Sequence, residues 1–165
     1  MLKIRSRENN IRDLMNGAST SGSLCSAFSH CVQQVKNYDY HHYLCLLELP
    51  TSTRKVALAL RAFNVETARA MCVSSDPKIG VVCILWWQQA MYKIFANKLI
   101  EQPIAQALAL VKSEHKISKA WLKRSVEARI NDANREITNL PETIGELELY
   151  AEDTESTLLY MTLHA

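Results

Sequence analysis

Apolar residues recur three or four positions apart along much of the chain. Ile104, Leu108 and Val111 form one such stripe, because residues at this spacing fall on one face of an α-helix. A second stripe runs along the C-terminal segment and comprises Leu147, Tyr150, Ala151, Thr154 and Leu158. We find no run with the apolar–polar alternation typical of strands. The pattern therefore predicts an all-α bundle.

Capping and helix-breaking residues set the boundaries of the predicted helices. Six are expected: a short one between Asp39 and Pro50, a long one from Thr53 to about Cys72 that Thr51 and Ser52 cap, and four that follow Asp76 (to about Asn97), start at Pro103, follow Ser118 and follow Pro141. Residues 1–24 are rich in Gly, Ser and Thr towards their end and are predicted to be a flexible N-terminal segment. The helical domain is expected to occupy residues 25–165.

The C-terminal sequence LLYMTLHA is apolar and contains no capping glycine. A helix that ends in this way leaves an apolar face that needs a partner. We therefore expect the chain to cover only part of a larger helical domain.

Composition is that of a globular protein with a core: of 165 residues, 48% are hydrophobic and 22% charged. Its 19 basic and 17 acidic residues are mixed along the chain, which predicts no concentrated basic field and therefore no nucleic-acid partner. The apolar run from Ile79 to Trp87 is much shorter than the roughly 20 residues of a membrane span, so no transmembrane helix is expected. The five cysteines include no Cys-x-x-Cys pair and are expected to be reduced, buried thiols.

The first fifteen residues combine basic and apolar side chains, as a mitochondrial presequence does. Glu8 and Asp13 count against that interpretation, since such peptides are poor in acidic residues. From the residues alone, a solvated tail is favoured.

Several polar groups suggest chemistry, and each also has a simpler structural explanation. Glu148, Glu152 and Glu155 share a helix face at spacings that suit a shared cation, but such runs are usually solvated faces. Arg129 lies between Glu127 and Asp132, which predicts an ion pair within the helix or between helices. Adjacent His41 and His42 point about 100° apart on a helix, so they are not expected to bind one metal ion. Trp86 and Trp87 are expected in the core, with one indole facing a cavity.

Four segments, in order, resemble the squalene/phytoene synthase family, a group of head-to-head prenyltransferases. They are YHHYLCLLELPTSTRKVALALRAF, ILWWQQAMYKIF, PIAQALALV, and EARIND together with LELYAEDTESTLLYMTL. The resemblance implies an isoprenoid-synthase-like helical bundle, of which this chain would cover about the first half.

Catalytic members of that family hold magnesium with an Asp-x-x-x-Asp motif, and in register its aspartates fall on Ala68 and Cys72. The substrate diphosphate brings several negative charges into an apolar pocket, so metal ions with carboxylate ligands must neutralise it. Neither Ala68 nor Cys72 can ligate magnesium. These two residues are therefore interpreted as vestigial metal positions and are expected one turn apart on one helix face. The resemblance implies no catalytic residue and no metal or other cofactor.

The sequence RAFNVE, Arg61 to Glu66, resembles a non-catalytic mitochondrial branch of the family that supports assembly of respiratory complex I. This resemblance implies a mitochondrial protein at the matrix side of the inner membrane, with complex I subunits or other assembly factors as partners and a possible apolar or prenyl-lipid ligand. The alternative is a magnesium-dependent prenyltransferase that condenses two isoprenoid diphosphates. The residues expected to line the old cavity are Phe63, Asn64, Glu66, Trp86, Trp87 and Tyr150, with Glu66 able to pair with Arg69.

Overall fold

The computed structural model describes residues 22–135, 141 and 143–165. Its helices are α1 (Gly22–Tyr38), α2 (Tyr40–Leu46), α3 (Thr51–Arg69), α4 (Pro77–Phe95), α5 (Pro103–Glu114), α6 (Lys119–Ala133), α7 (Ile144–Ala151) and α8 (Thr157–Leu163). A 3₁₀ turn, Ala70–Cys72, follows α3, and a π-helical segment, Glu152–Ser156, joins α7 to α8. The described residues contain no strand, which confirms the all-α prediction.

Helix α3 lies at the centre of the bundle. Its side chains are buried on most of its circumference, with Val56, Leu60 and Phe63 fully enclosed. Helices α1, α5 and α8 pack around it, while α4 packs mainly on α6 and on the 3₁₀ turn. A helix that is apolar on nearly all sides is stable only when other helices surround it.

Local signals placed most helix starts correctly. The carboxylate of Asp76 accepts a hydrogen bond from the backbone N–H of Lys78 at 2.9 Å, and Pro77 is the first residue of α4. The hydroxyl of Ser118 accepts from the backbone N–H of Trp121 at 3.3 Å. Such caps satisfy backbone donors that have no partner within the helix.

Two predicted boundaries of α3 are wrong. It begins at Thr51, directly after Pro50, so Thr51 and Ser52 are helical residues rather than caps. It ends at Arg69 rather than near Cys72, because the N–H of Ala70 donates to the carbonyl of Thr67 and the chain tightens into the 3₁₀ turn.

Helix α1 was not among the six predicted helices. It begins at Gly22, inside the segment expected to be flexible, and residues 1–21 lie outside the described part of the chain. Ala27, Phe28, Cys31 and Val35 are buried at helical spacing, so the signal was present. The Gly and Ser residues around its first turn obscured it.

The prediction for the C-terminal stripe is wrong in part. Thr154 and Leu158 are buried, whereas Leu147 and Ala151 are exposed and α7 buries none of its residues. The π segment between them changes the number of residues per turn, and this rotates the apolar face of α7 away from the bundle. The stripe of Ile104, Leu108 and Val111 is fully buried, as predicted.

The side chain of Arg54 fastens the α2–α3 connection. Its guanidinium donates to the carbonyl of Leu47 at 3.0 Å and to that of Leu49 at 2.7 and 3.2 Å, and the residue is buried. These carbonyls belong to the turn after α2, where no helical N–H remains to bond them.

Helix α4 crosses the 3₁₀ turn at very short range at Gly80. A Cβ atom on Gly80 would lie 2.7 Å from Sδ and 2.8 Å from Cα of Met71. Only glycine permits this approach of the two backbones.

Candidate functional site

A cluster of polar side chains joins α3, α6 and the π segment, and we refer to Arg61, Asn64, Arg129, Tyr150 and Glu155 as the polar cluster. Arg129, only 8% exposed, donates from Nη2 to Oδ1 of Asn64 and from Nη1 to the hydroxyl of Tyr150 at 3.4 Å. Nδ2 of Asn64 donates to Oε1 of Glu155 at 2.5 Å. The other carboxylate oxygen, Oε2, lies 2.5 Å from Nη1 of Arg61. One carboxylate thus bridges two residues of α3.

The fold brings these groups together from distant parts of the chain. Arg61 and Asn64 are three residues apart and so lie on one face of α3. Arg129 comes from the last turns of α6, Tyr150 from the end of α7 and Glu155 from the π segment. A π-helical segment of this kind shifts the direction of the side chains within it, and such segments are frequent at functional sites.

Burial governs the electrostatics of the cluster. Loss of solvent around the Arg129 guanidinium lowers its pKa, which the nearby Tyr150 and Glu155 partly oppose. Burial also raises the pKa of the Tyr150 phenol, while Arg129 opposes that rise. At neutral pH the phenol is therefore neutral and accepts a hydrogen bond from Arg129. Both oxygens of Glu155 are engaged by donors, so the arrangement is that of a structural clamp.

The vestigial metal positions lie at the end of α3. Ala68 is in its last turn, but Cys72 lies beyond it in the 3₁₀ turn, so the expectation that both share one face of a continuous α-helix is wrong. Both residues are exposed, and neither belongs to the polar cluster. Across the described ranges, no three His, Cys, Asp or Glu side chains are grouped so that they could hold a metal ion.

The acidic residues of the C-terminal segment are more engaged than a solvated face implies. Glu155 bridges Arg61 and Asn64, and Asp153 pairs with Arg124 on α6. Glu152 accepts a hydrogen bond from the hydroxyl of Tyr160 at 3.3 Å. The π segment is thereby attached to both α3 and α6.

The predicted pairing of Arg129 with Glu127 and Asp132 is wrong. Arg129 points into the protein towards Asn64, and Glu127 instead pairs with Lys123 one turn away at 3.2 Å. Sequence spacing indicates partners on the same helix but carries no information about partners on another helix. The contacts of Arg129 and Glu155 with α3 therefore could not be predicted from the neighbouring sequence.

A second feature is an apolar groove of about 450 Å³ on another side of α3. It is lined by Gln34, Glu66, Arg69, Ala70, Val73, Val82, Cys83, Trp86, Trp87 and Gln102, and we refer to it as the tryptophan groove. Glu66 is two residues from Asn64 and therefore lies about 200° around the helix from it. The groove and the polar cluster are thus on opposite faces of α3.

The six residues expected to line one cavity are divided between these two features. Glu66, Trp86 and Trp87 line the tryptophan groove, whereas Asn64 and Tyr150 belong to the polar cluster. Phe63 is fully buried behind the groove, with its ring edge-on to Trp87 at 5.1 Å between centroids. Sequence register alone did not separate the two faces of the helix.

The two indoles at the groove have different environments. Trp87 is 2% exposed and belongs to the core, whereas Trp86 is 41% exposed and faces the groove, as expected for one of the pair. The expected Glu66–Arg69 pair is not formed. Glu66 accepts a hydrogen bond from Gln102 at 3.5 Å, and the Arg69 guanidinium lies 3.3 Å from the centre of the Tyr38 ring.

The five cysteines are free, as predicted, but their burial differs from the prediction. Cys31 is fully buried, and this burial raises the pKa of its thiol to about 12. Cys45 and Cys72 are exposed. No thiol of the chain is paired in a disulfide.

Of the two adjacent histidines, Nδ1 of His42 lies at hydrogen-bond distance, 2.6 Å, from Oδ1 of Asp39.

The architecture is an all-α bundle built around one central helix, and this architecture can be compared with solved structures. A solved structure of a dehydrosqualene synthase is similar to it, with a TM-score of 0.73 and 19% sequence identity, over 86% of this chain and 47% of that one. The likeness shows the isoprenoid-synthase fold. Residues 35–165 match the squalene/phytoene synthase family, and the chain belongs to that family.

Several curated relatives have names that refer to the assembly of complex I. The chain is 34% identical to "NADH dehydrogenase (ubiquinone) complex I, assembly factor 6" of Rattus norvegicus over 88% of its own length and 43% of that protein's. The corresponding Homo sapiens protein is 36% identical over 81% of this chain and 39% of its own length. The Drosophila melanogaster homolog is 37% identical over 81% of this chain and 41% of its own length. The chain thus spans about two fifths of the length of these relatives.

No helix in the described ranges is both long and apolar enough to cross a membrane.

Proposed function

We propose that this protein is a non-enzymatic assembly factor for respiratory complex I. The observation that carries the proposal is the similarity, at 34 to 37% identity, to complex I assembly factor 6 of rat and fruit fly. It acts through protein contacts with complex I subunits or with other assembly factors. We also propose that it acts in mitochondria, at the matrix side of the inner membrane, and the similarity to complex I assembly factors supports the mitochondrial location.

The polar cluster supports a non-enzymatic role. Magnesium-dependent prenyl transfer needs carboxylates that are free to hold metal ions next to a diphosphate. Ala68 and Cys72 supply none, and both oxygens of the nearby Glu155 are bonded to Arg61 and Asn64. Most of the polar groups on this face of α3 bond to one another, which suits a structural role.

The test is the abundance of complex I in cells that lack the protein. We expect blue native gels to show loss of assembled complex I, and re-expression of the intact protein to restore it. A variant with Ala68→Ser and Cys72→Ser should restore assembly equally well, because these exposed positions carry no chemistry. Normal complex I in the deleted cells would contradict the proposal.

The alternative, a prenyltransferase, makes an opposite prediction. Purified protein would consume farnesyl or geranylgeranyl diphosphate in the presence of magnesium, and chelation of the metal would stop the reaction. We expect no turnover above that of a heat-denatured sample. Magnesium-dependent formation of a condensed product would overturn the non-enzymatic assignment.

The tryptophan groove supports a second proposal, that the assembly factor also holds an apolar ligand such as an isoprenoid chain. Its volume of about 450 Å³ is in the range of small-molecule sites, which span about 300 to 1,000 Å³, and its walls are mainly apolar. Equilibrium dialysis with farnesol provides the test. Trp86→Ala should weaken retention, whereas Leu85→Ala, a change of the neighbouring exposed residue outside the lining, should not. Equal retention by the two variants would refute the proposal.

A further inference from the structure

A second groove lies between the C-terminal half of α4 and the start of α6. It has a volume of about 470 Å³ and is lined by Gln89, Tyr92, Lys93, Phe95, Ala96, Lys98 and Lys119. We refer to it as the lysine groove. None of these lining residues is acidic, so the groove has a local positive charge that the near-neutral balance of the whole chain did not predict.

The charges of this groove are not neutralised from within the described residues. Lys93, Lys98 and Lys119 are exposed and form no ion pair there, whereas nearby Lys123 pairs with Glu127 at 3.2 Å. Three unpaired ammonium groups around one concavity attract a ligand with several negative charges.

The walls between the lysines are aromatic. The Lys119 ammonium lies 5.0 Å from the centre of the Tyr92 ring and 5.9 Å from that of Phe95. Tyr92 is 49% exposed, so its ring presents an apolar surface to an incoming side chain. A ligand that fits both features carries carboxylates and apolar side chains next to one another.

The loop after α4 extends this surface. Asn97 has a φ of 54°, a left-handed conformation that ends the helix, and its side chain accepts a hydrogen bond from Lys112 at 2.7 Å. The turn places Leu99, which is 89% exposed, beside Lys98. The rim therefore repeats the combination of a basic and an apolar side chain.

We propose that the lysine groove binds an acidic, partly apolar segment of a partner protein. Its carboxylates meet Lys93, Lys98 and Lys119, and an apolar side chain packs against Tyr92 and Phe95. A concave site favours a protruding peptide over a flat bilayer, and Lys119, which lies against two aromatic rings, is not extended towards a membrane plane. The inference concerns only what this groove binds and does not depend on a role in complex I assembly.

The test uses the full chain and a fluorescein-labelled peptide of the repeated sequence Glu-Leu-Asp-Phe, with fluorescence anisotropy as the readout. A Gln-Leu-Asn-Phe repeat is the neutral control. We expect the acidic peptide to bind and the neutral peptide not to bind. Binding should weaken as ionic strength rises, because salt screens exposed charges.

Substitutions locate the binding. Lys93→Glu combined with Lys119→Glu should weaken binding of the acidic peptide by roughly tenfold or more, since both charges are reversed at the site. The matched control is Lys78→Glu, an exposed lysine at the other end of α4, which should bind as the unmodified chain does. All three positions are exposed, so the variants should fold, as their thermal unfolding will show.

Three results would overturn the proposal. The first is absence of binding by the acidic peptide, and the second is binding that the double substitution does not weaken. The third is that vesicles of phosphatidylcholine and phosphatidylglycerol, but not the peptide, bind in a way that the double substitution abolishes. That outcome would assign the groove to a membrane surface.

Discussion

Replacement of Asn64 by alanine tests whether the polar cluster is a clamp that stabilises the bundle. Asn64 is 5% exposed and makes two hydrogen bonds, one from the Arg129 guanidinium and one to the Glu155 carboxylate. Without it, Nη2 of Arg129 loses this buried partner. Nε of Arg129 already lacks a hydrogen-bond partner among the described residues, so the guanidinium would become still less satisfied.

The expected cost follows from the kinds of bond that are lost. A hydrogen bond to a charged group contributes about 1.5 to 3 kcal/mol, and a buried donor left unsatisfied costs a similar amount. The bond to Glu155 counts for less, because that carboxylate is half exposed and water replaces its partner. We therefore expect Asn64→Ala to reduce the free energy of unfolding by about 2 to 4 kcal/mol, a large share of the roughly 5 to 15 kcal/mol that stabilises a typical domain.

Urea denaturation followed by circular dichroism provides the measurement. The matched control is Asn131→Ala, an exposed asparagine on α6, which should change stability by less than about 0.5 kcal/mol. A cycle with Arg129→Met isolates the pair, and we expect a coupling of about 1 kcal/mol or more. The reasoning fails if Asn64→Ala costs no more than the control, or if the two single effects simply add.

Three further predictions concern other parts of the fold. Gly80→Ala should lower the free energy of unfolding by about 1 to 3 kcal/mol, because its Cβ would lie 2.7 Å from Met71. In the control Gly145→Ala, the nearest contact of the new Cβ is at 3.8 Å, so the free energy of unfolding should rise by up to about 1 kcal/mol. Urea titrations measure both effects. Arg54→Met should cost about 2 to 4 kcal/mol by the same assay, since it leaves the carbonyls of Leu47 and Leu49 without their donor; a loss below about 0.5 kcal/mol would contradict this. Burial raises the pKa of Cys31 to about 12, so the folded state holds this proton more tightly than the unfolded state, and stability should fall as pH rises above about 9. The fall in stability should be shallower in Cys31→Val. With iodoacetamide, mass spectrometry should show alkylation of the exposed Cys45 long before that of the buried Cys31.

Local sequence signals predicted the frame of this protein. Asp76 with Pro77, Pro103 and Ser118 each act within a few residues of themselves, so the starts of α4, α5 and α6 could be derived from the sequence. The π segment could not, because EDTES continues an ordinary helical pattern and its extra residue per turn depends on the helices it packs against. For this reason the predicted stripe through Leu147 and Ala151 does not point into the core.

The candidate site was less predictable because its contacts join residues far apart in sequence. Arg129 is 65 positions from Asn64, and Glu155 is 91 positions from it. Helical spacing offers Arg129 a nearer partner, Asp132, which is three residues further along α6, but Arg129 points into the protein instead. The lysine groove was not predicted either, because a net charge of +2 for the whole chain does not show where its charges lie in the structure.

The polar cluster and the two grooves bear on the proposal that this family fold has a non-enzymatic role here. Arg61 and Arg129 bring two positive charges to one face of α3, and such charges need an anion beside them. Here the anions belong to the chain itself: Glu155 pairs with Arg61 and acts on Arg129 at longer range, and Oδ2 of Asp39 lies 3.9 Å from Nη1 of Arg61. The face therefore has counter-charges without any ligand. A bound diphosphate would have to displace the Glu155 carboxylate from both Arg61 and Asn64. The tryptophan groove and the lysine groove are two open surfaces in the described residues. Under the proposed function, they are where the protein holds partners on its outside, rather than substrates at its centre.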